Sequence, residues 1–335
     1  MHEKVNGVNF LKARGTYKER AQQHARILKN EIHDGPIFNL AKKNEYILRT
    51  SGGPLKNSLV QKFAINFYNQ VLLKRMVKSL PKDVLEMLRG FAHEAGLPFD
   101  IVKHATFQAD GLMILSRAAV MQRLFKDVPP RELPGCSSAI ALGDITKDGK
   151  MLVARNQDYP IIGQWEKHPL VMFHEPSAPN EIPHISVSSA GVHTAGLTSL
   201  NAEGLTLATH AHFGKETSTS GSPIFTIGDE VISKAKNINE AIDIIRSRPR
   251  NANWSFVISS AQDKDAVVVE MSPRKTYIRN SKDGALTQTN FFNTEKLKKK
   301  EALISRGRHD DDWGRIARMN YLLDQSKGNI TPQDM

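Results

Sequence analysis

The sequence predicts an α+β protein in which a helical first part is followed by antiparallel strands. Apolar residues recur three and four positions apart over 55–80 and 82–95, which is the spacing of amphipathic helices. After VPPRELPG (128–135) the pattern changes to short runs rich in Val, Ile and Thr, separated by turn residues. Hairpins combined with helices held in blocks favour α+β layers over a doubly wound parallel sheet.

The helical part is predicted to extend from residue 1 to about 128. Its clearest helix, KDVLEMLRGFAHEA (82–95), is followed by Gly96 and Pro98, which end it. A further apolar segment runs over 99–125. We interpret the Met, Leu and Phe stripes of these segments as helix packing.

The rest of the chain is predicted to form strands with two helices inserted. CSSAIALGDI and MLVARNQDY flank KDGK, and GVHTAGLTSL and GLTLATHAHF flank NAEG, so each pair predicts a hairpin. Three more strands are WSFVISSA, DAVVVEMS and KTYIRNS. One inserted helix is predicted to begin at Ser222-Pro223. The other is predicted to begin at Asn237, which forms a capping-box pattern with Glu240.

Composition and charge restrict the classes of function. A single cysteine in 335 residues excludes an intrachain disulfide and a Cys-rich metal site. The net charge is +11, but the densest basic cluster, KLKKK (296–300), is short and has no interleaved aromatic residues. We therefore interpret the charge as a solvated basic surface and expect no nucleic-acid partner. No signal peptide or membrane-spanning apolar stretch is visible, so we expect a cytoplasmic protein without an integral membrane segment.

The common phosphate-binding and metal-binding signatures are absent. The sequence contains no GxxxxGK[ST], no GxGxxG between strand and helix, and no HExxH. His210 and His212 alternate on an apparent strand and therefore project from one face, with His174 or His193 available as a third ligand. Nothing in this spacing requires a metal, and we interpret the histidines as buried or edge residues. We expect neither a metal nor an organic cofactor.

Cys136 has the most chemical interest, because it follows Gly135 and opens a strand. A small buried hydrophobe is one interpretation. The thiol of a Cys-His enzyme is a second, for which the 12 histidines supply no local signature. The third is that the Gly135–Cys136 peptide bond is cut. Cys136 is then an N-terminal nucleophile, and its own α-amine, with an ordinary pKa of about 7.7–8.0, serves as the base.

Four segments in the same order resemble the N-terminal-nucleophile (Ntn) hydrolases that act on linear amides. They are LPKDVLEMLRGFAHEAGLPFDIV, GCSSAIA followed by DGKMLVARNQDYP, SLNAEGLTL, and QTNFF. The chain is most similar to the acyl-CoA:6-aminopenicillanic acid acyltransferase family, and more distantly to acid ceramidase, N-acylethanolamine acid amidase and choloylglycine hydrolases. The resemblance implies a four-layer αββα sandwich. It also implies that 1–135 is a helical propeptide segment and 136–335 the catalytic chain of one Ntn-hydrolase unit.

The resemblance implies a role for each matching residue. Cys136 is the self-cleavage nucleophile and the catalytic thiol, Arg155 favours its thiolate, and Asp158 holds its α-ammonium group. Asn201, through its backbone N–H, and Asn290, through its side-chain amide, form the oxyanion hole. An ordinary ion pair between the arginine and the aspartate, and turn roles for both asparagines, remain alternatives.

The C-terminal part matches the family less closely. Arg315 and Arg318 match the arginines of an S-x-x-R-x-x-R run, and Arg315 is assigned to substrate binding, but Asp312 stands where Ser is expected. Relatives usually continue with another helix and strands, so we expect either a truncated chain or one without the final strands.

The resemblance implies an autoproteolytically activated cysteine amidohydrolase that cleaves the amide C–N bond of an N-acyl substrate through an acyl-enzyme. An acyltransferase that passes the acyl group to an amine is the alternative. The expected partners are a small N-acyl amide and the protein's own two cleaved chains, held as a heterodimer. The competing class is a non-enzymatic basic surface-binding protein with an uncleaved chain and a buried Cys136.

Overall fold

The computed structural model describes residues 1–50, 58–117, 135–159, 163–302 and 306–335. Strands and helices are both numbered in chain order. The strands are β1 (His2–Val5), β2 (Val8–Gly15), β3 (Gly135–Ala141), β4 (Leu152–Asp158), β5 (Pro169–Pro176), β6 (His184–Ser189), β7 (Thr198–Asn201), β8 (Leu205–His212), β9 (Asn253–Ser260), β10 (Asp265–Met271), β11 (Thr276–Asn280) and β12 (Ala285–Gln288).

The helices fall into an upstream group before β3 and a downstream group after β8. The upstream helices are α1 (Tyr17–Ile27), α2 (Lys29–Asp34), α3 (Ile37–Thr50), α4 (Ser58–Phe67), α5 (Leu73–Lys78), α6 (Lys82–Ala95), α7 (Phe99–Thr106) and α8 (Gln108–Arg117), with a π-helical turn, Tyr68–Leu72, between α4 and α5. The downstream helices are α9 (Ile224–Lys234), α10 (Ile238–Ser247), α11 (Glu295–Lys298) and α12 (Arg306–Gln325).

The strands form two sheets. The larger has nine strands in the order β1-β2-β5-β6-β7-β8-β9-β10-β11, antiparallel except for the parallel pair β2 and β5. The smaller has three strands in the order β12-β3-β4 and is antiparallel throughout. The predicted hairpin of β3 and β4 is confirmed, and so is the hairpin of β7 and β8.

Four layers follow from which side chains pack together. Successive side chains of a strand point to opposite faces. Ile140 of β3 and Val257 of β9 therefore meet in a core between the two sheets. On the other face of the large sheet, Phe256 packs against α9 and α10. Leu323 of α12 packs on the outer face of the small sheet. The order helix, sheet, sheet, helix is the predicted αββα sandwich, and the fold class is confirmed.

The upstream helices are part of the same folded unit. Phe91 of α6 and Ala21 of α1 form a buried core with Leu11 of β2 and Met172 of β5, so these helices cover one end of the large sheet. Helices α5 and α8 join the core on the α9 side. The segment before Cys136 therefore contributes much of the apolar surface buried by the fold, which is the dominant stabilising term.

The prediction that the chain begins as helix is wrong for the first 15 residues. β1 and β2 form a hairpin through Asn6-Gly7, both with positive φ (49° and 85°) as a type I′ turn requires. β2 then pairs with β5. The physical reason lies in the sequence VNFLKARG, where Asn9, Leu11 and Ala13 alternate with more exposed residues and suit a strand buried on one face. Asn-Gly between two such runs was the available signal.

The other predicted elements can be compared directly. α6 is confirmed over Lys82–Ala95 and ends at Gly96, whose φ is 67°. α9 begins one residue later than predicted, at Ile224, and Pro223 rather than Ser222 is its N-cap residue. α10 is capped by Asn237 as predicted, and the Asn237 side chain accepts the Glu240 N–H at 2.9 Å. Predictions for 55–57 and 118–134, including most of VPPRELPG, lie outside the described residues. Within the described ranges, no helix combines the length and the apolar character that crossing a bilayer requires.

Candidate active site

Cys136 is the second residue of β3, and its side chain faces the space between the sheets. It is 5% exposed and is a free thiol. Its backbone N–H donates to Asn290 Oδ1 at 2.6 Å, and its carbonyl oxygen accepts from Arg315 Nη1 at 2.6 Å. Two of the residues predicted from the sequence therefore hold the two backbone groups of this cysteine.

Arg155 lies beside the sulfur. The hairpin register pairs it with Ser138, two residue pairs along from Cys136 and therefore on the same sheet face. Its Nη2 is 3.4 Å from Cys136 Sγ and 2.5 Å from the carbonyl oxygen of Thr209. Burial lowers the pKa of Arg155, and the neighbouring Cys136 opposes this shift. A guanidinium stays protonated at any physiological pH, so a fixed cation contacts the thiol.

Asp158 lies on the opposite face of the hairpin. It pairs with Gly135 across β3 and β4, is exposed, and accepts from Asn156 Nδ2 at 2.9 Å. A Cβ on Gly135 would lie 3.2 Å from Asp158 Cβ, 3.3 Å from its Oδ2 and 3.4 Å from Arg308 Nη1. Glycine at 135 thus allows this carboxylate to approach the backbone immediately before Cys136. In the intact chain it does not hold the Cys136 nitrogen, which donates to Asn290.

Asn290 follows β12 and is buried. Its Oδ1 accepts from the Cys136 N–H, while its Nδ2 donates to the carbonyl oxygen of Ala211 at 2.9 Å. Its own N–H donates to Asp312 Oδ1 at 3.4 Å. The side-chain amide predicted to serve the reaction is therefore adjacent to the nucleophile and is held between the small sheet and β8.

The structure does not bring Asn201 to this site. Its Nδ2 donates to Ile232 O and Ala235 O at the end of α9, at 3.0 and 2.8 Å, and its Oδ1 accepts from N–H groups of the following turn. Asn201 lies in the turn region that precedes Leu205, the first residue of β8. Arg155 contacts β8 only from Thr209 onward, about 13 Å farther along the strand. The expectation that Asn201 lies beside Cys136 is not met, because β8 carries the chain away from the turn before reaching the thiol.

Arg315 and Asp312 approach from α12. Arg315 Nη1 donates to the Cys136 carbonyl oxygen and to Ser137 Oγ at 2.8 Å, and Nη2 pairs with Asp312. Asp312 also accepts from Arg308 Nε at 2.9 Å and is 3% exposed. Burial raises the pKa of Asp312, while Arg308 and Arg315 counteract that shift. The aspartate that departs from the family pattern therefore links two arginines that approach either side of the Gly135–Cys136 bond.

Sequence reasoning missed the role of His210. It projects from β8 into the same space, fully buried, with Nε2 3.1 Å from Arg155 Nη1 and 2.8 Å from Ser138 Oγ. His212 projects from the same face, as predicted, and its ring stacks on Phe292 at 4.5 Å. The only sequence signal was that alternation, because nothing local indicates which strand of the other sheet faces the hairpin.

Two alternative interpretations can be tested against this geometry. In the part of the chain that the structure describes, no histidine hydrogen-bonds to Cys136 Sγ, and His210 directs Nε2 to Arg155 instead. Across the same residues, no cluster of His, Cys, Asp and Glu has an arrangement suited to a metal ion. The surroundings of the thiol therefore supply a cation and amide groups rather than a Cys-His pair.

An apolar cavity of about 80 Å³ has Tyr159 and Trp165 in its wall. Tyr159 is two residues beyond the cross-strand neighbour of Cys136, and its ring stacks on Trp165 at 5.3 Å. Burial raises the pKa of Tyr159, and the nearby Cys136 adds to the shift. Upstream helices supply much of the wall, including Leu40, Met87, Leu88, Phe91 and Val102. Downstream residues Leu197 and Phe225 complete it.

Comparison with known proteins supports the assignment to a family. The model of the acyl-coenzyme A:6-aminopenicillanic acid acyl-transferase family matches residues 145–334, more than half of the chain. This span contains Arg155, Asp158, Asn290 and Arg315 and begins after Cys136.

A solved structure of a variant of conjugated bile acid hydrolase from Clostridium perfringens matches 49% of this chain and 49% of that chain, with 12% sequence identity and a TM-score of 0.26. The chain thus spans about half the length of that protein, and so loose a superposition adds nothing to the fold derived above. No curated protein matches the chain. On the family match, the chain belongs to the acyl-coenzyme A:6-aminopenicillanic acid acyl-transferase family.

Proposed function

We propose that this chain is the precursor of a cysteine amidohydrolase that cuts its own Gly135–Cys136 bond and then uses Cys136 to cleave an N-acyl amide. One observation carries the proposal: three protein groups converge on three atoms of Cys136. Asn290 accepts from its nitrogen, Arg155 contacts its sulfur, and Arg315 donates to its carbonyl oxygen. A cysteine buried only for packing has no need of such an arrangement.

The self-cleavage step is an acyl shift from nitrogen to sulfur. Cys136 Sγ bonds to the carbonyl carbon of Gly135, the bond from that carbon to Cys136 N breaks, and the nitrogen takes up the proton that the thiol loses. The result is a thioester and a free α-amine. Water then attacks the thioester, giving the Gly135 carboxylate and the Cys136 thiol. Arg155 assists by favouring the thiolate, as a nearby cation does. Because Gly135 has no Cβ, the Asp158 carboxylate can lie close to the backbone immediately before the bond that is cut.

In the cleaved enzyme, the α-amine of Cys136 is the general base. Its ordinary pKa of about 7.7–8.0 lets it accept the thiol proton near neutral pH. Asn290 Oδ1 already lies 2.6 Å from this nitrogen and is suited to accept from the resulting ammonium group. Asp158, beside the position that Gly135 vacates, supplies the negative charge.

The thiolate then attacks the carbonyl carbon of a substrate amide. The amine leaves with a proton from the α-ammonium group, and the acyl group stays on Cys136 as a thioester until water removes it. Asn290 is the side-chain donor for the oxyanion, since its Nδ2 needs only to leave Ala211 O. An oxyanion donor of this kind contributes on the order of 10²–10³ in rate.

The acyl part of the substrate is apolar. The cavity beyond Tyr159 and Trp165 is lined largely by hydrocarbon side chains, and burying them against a ligand is favourable by about 25 cal/mol per Å². Because Leu40 and Phe91 come from 1–135 while Leu197 comes from 136–335, the cavity requires both pieces. We therefore propose that the cleaved chains remain together as a heterodimer.

The family match favours a second candidate, in which an amine rather than water removes the acyl group. The chemistry is shared up to the acyl-enzyme, so the two differ only in the acceptor. Incubating the enzyme with an N-acyl amide and a second amine separates them. A hydrolase yields free acid, and a transferase yields the new amide in excess of the acid.

Intact-mass analysis tests the proposal. Wild type is expected to give two chains that separate before Cys136, and Cys136→Ala a single uncut chain. Val153→Ala, an exposed change in the same hairpin, is the matched control and is expected to cleave like wild type. Wild type that stays whole after long incubation, with a thiol that resists alkylation, would overturn the proposal. Strongly salt-dependent binding of nucleic acid would then favour the non-enzymatic basic protein.

A further inference from the structure

We propose that His210 is a positioning residue for the reaction described above: its neutral imidazole holds the Arg155 guanidinium against Cys136 without cancelling its charge. The inference rests on the proposed function for its purpose, but not for its geometry. His210 lies on β8 of the large sheet, whereas Arg155 and Cys136 lie on the small sheet. The contact therefore joins the two sheets at the thiol.

The hydrogen bonds define the protonation state of the ring. Arg155 can only donate, so His210 Nε2, at 3.1 Å from Arg155 Nη1, must be a bare acceptor nitrogen. Ser138 Oγ, at 2.8 Å, is then a second donor to the same atom. In the neutral ring the proton is on Nδ1, which is buried and has no hydrogen-bond partner among the described residues. Burial lowers the pKa of His210 well below its ordinary value; Arg155, His212 and Arg315 add to this shift, and the Cys136 backbone opposes it. The direction agrees with a neutral ring.

A neutral partner matters because of what Arg155 is required to do. Its hydrogen-bond acceptors are Thr209 O, His210 Nε2 and Cys136 Sγ, and no carboxylate pairs with it among the described residues. Its positive charge therefore acts on the sulfur without a hydrogen-bonded carboxylate, and Asp158, on the other face of the hairpin, acts on the guanidinium only through space. A carboxylate in place of the imidazole would hold the guanidinium equally well but would cancel much of that effect.

The second arginine of the site shows the contrast. Arg315 is paired with Asp311 at 3.0 Å and with Asp312. It contacts the carbonyl oxygen of Cys136, where a strong hydrogen-bond donor suffices and net charge is not needed. The site thus contains one arginine that is ion-paired and contacts the backbone, and one arginine that has no bonded carboxylate and contacts the thiol. The neutral histidine makes the second arrangement possible.

His210 is not the base of the reaction. The lone pair of Nε2 is engaged by Arg155 and Ser138, and the other ring nitrogen carries the proton. Its removal should therefore raise the pH at which Cys136 becomes thiolate, rather than abolish proton transfer.

Alkylation by iodoacetamide provides a test that does not need substrate, because Cys136 is the only cysteine in the chain. We compare the pH profile of the alkylation rate in wild type, His210→Gln, His210→Leu and Arg155→Gln. His210→Leu is expected to raise the midpoint by about one pH unit and to slow alkylation near pH 7 about tenfold, in the direction of Arg155→Gln. His210→Gln retains a neutral acceptor and is expected to stay within about threefold of wild type.

Ser138→Ala is the matched control, since it removes the other partner of Nε2 and leaves Arg155 in contact. Thermal unfolding identifies any variant that fails to fold. If His210→Leu does not fold, the alkylation profiles of His210→Gln and Arg155→Gln are compared instead, and the proposal requires that they differ. A folded His210→Leu with the wild-type midpoint would overturn the proposal, as would a folded His210→Gln with the midpoint of Arg155→Gln. Absence of self-cleavage in wild type would reject the proposed function rather than the role of His210. The alkylation rates can still be measured on the uncut chain, so the two proposals are tested separately.

Discussion

Asn290 Oδ1 accepts the backbone N–H of Cys136 at 2.6 Å, although 154 residues separate the two in the chain. The Nδ2 of Asn290 donates to the carbonyl oxygen of Ala211 in the large sheet. In the uncut chain, one side chain therefore links Cys136 of the small sheet to the large sheet. If the Gly135–Cys136 bond is cut, the hydrogen-bond donor to Asn290 Oδ1 changes from a backbone amide N–H to an α-amine.

Replacing Asn290 by Ala should slow self-cleavage by about 10²–10³, because an oxyanion donor and the acceptor for the Cys136 nitrogen are both lost. The unpartnered groups left behind should also lower the free energy of unfolding by about 1–3 kcal/mol. A time course of the uncut fraction by mass spectrometry measures the rate on folded protein. Cleavage of Asn290→Ala at the wild-type rate would remove it from the mechanism.

Replacing Asn201 by Ala should affect stability but not the reaction. Its side chain satisfies two carbonyl oxygens at the end of α9 and two N–H groups of the turn after β7. Losing these bonds should lower the free energy of unfolding by about 1–3 kcal/mol, measured by urea denaturation. Self-cleavage per folded molecule should match wild type. A loss comparable with that of Asn290→Ala would show that the Asn201 side chain serves the reaction; the backbone N–H is the same in the variant and in wild type.

Replacing Gly135 by Ala should slow self-cleavage about tenfold while the protein still folds. The added methyl group would press on Asp158 Cβ at 3.2 Å and its Oδ2 at 3.3 Å, which would displace the carboxylate and shift the backbone that Cys136 Sγ attacks. Gly314→Ala on α12 is the matched control. No atom lies within 4 Å of its added Cβ, and alanine is the better helix former. Equal cleavage rates in the two variants would show that position 135 tolerates a side chain.

Stability should fall as pH rises through neutrality because of Asp110 on α8. Burial raises the pKa of Asp110 to about 7, although hydrogen bonds from Trp254 Nε1, at 3.0 Å from Oδ1, and from the Ile224 backbone act in the opposite direction. Its Oδ2 has no hydrogen-bond partner among the described residues. The folded carboxyl therefore binds a proton that the unfolded one releases near pH 4, so its contribution is fully present below pH 4 and is lost as pH rises through about 7.

Asp110→Asn removes this titration and keeps an acceptor for Trp254. Thermal unfolding from pH 4 to pH 8 should show equal stability of the two proteins at the acid end. The variant should be the more stable by at least about 1 kcal/mol at pH 8. Parallel curves for the two proteins would mean that Asp110 is ionised throughout.

Much of the fold follows from local patterns. The helix over 82–95, both hairpins and the cap at Asn237 were predictable because their signals lie within a few residues of one another. The strand β2 was predictable in the same way from Asn6-Gly7. It was not predicted, because the long helical patterns that follow were extended to the first residue. The nine-stranded order was not predictable, because the pairing of β2 with β5 joins segments about 160 residues apart.

For the site, the sequence by itself determined the residues that share the hairpin with the thiol. Cys136, Arg155 and Asp158 lie on neighbouring strands, and the period of two assigns Arg155 to the face of the sulfur and Asp158 to the other. Family resemblance added Asn201, Asn290 and Arg315. Asn290 and Arg315 contact Cys136, and the roles of all three stay predictions.

Only the tertiary structure decided what lies across from that hairpin. Which residues of β8 face Cys136 depends on how two sheets stack, and this packing has no signature in local spacing. It brought His210 to Arg155 and left Asn201 at the far end of the hairpin, although both lie in one segment of the sequence. The apolar cavity was decided in the same way, because its walls come from both sides of the Gly135–Cys136 bond.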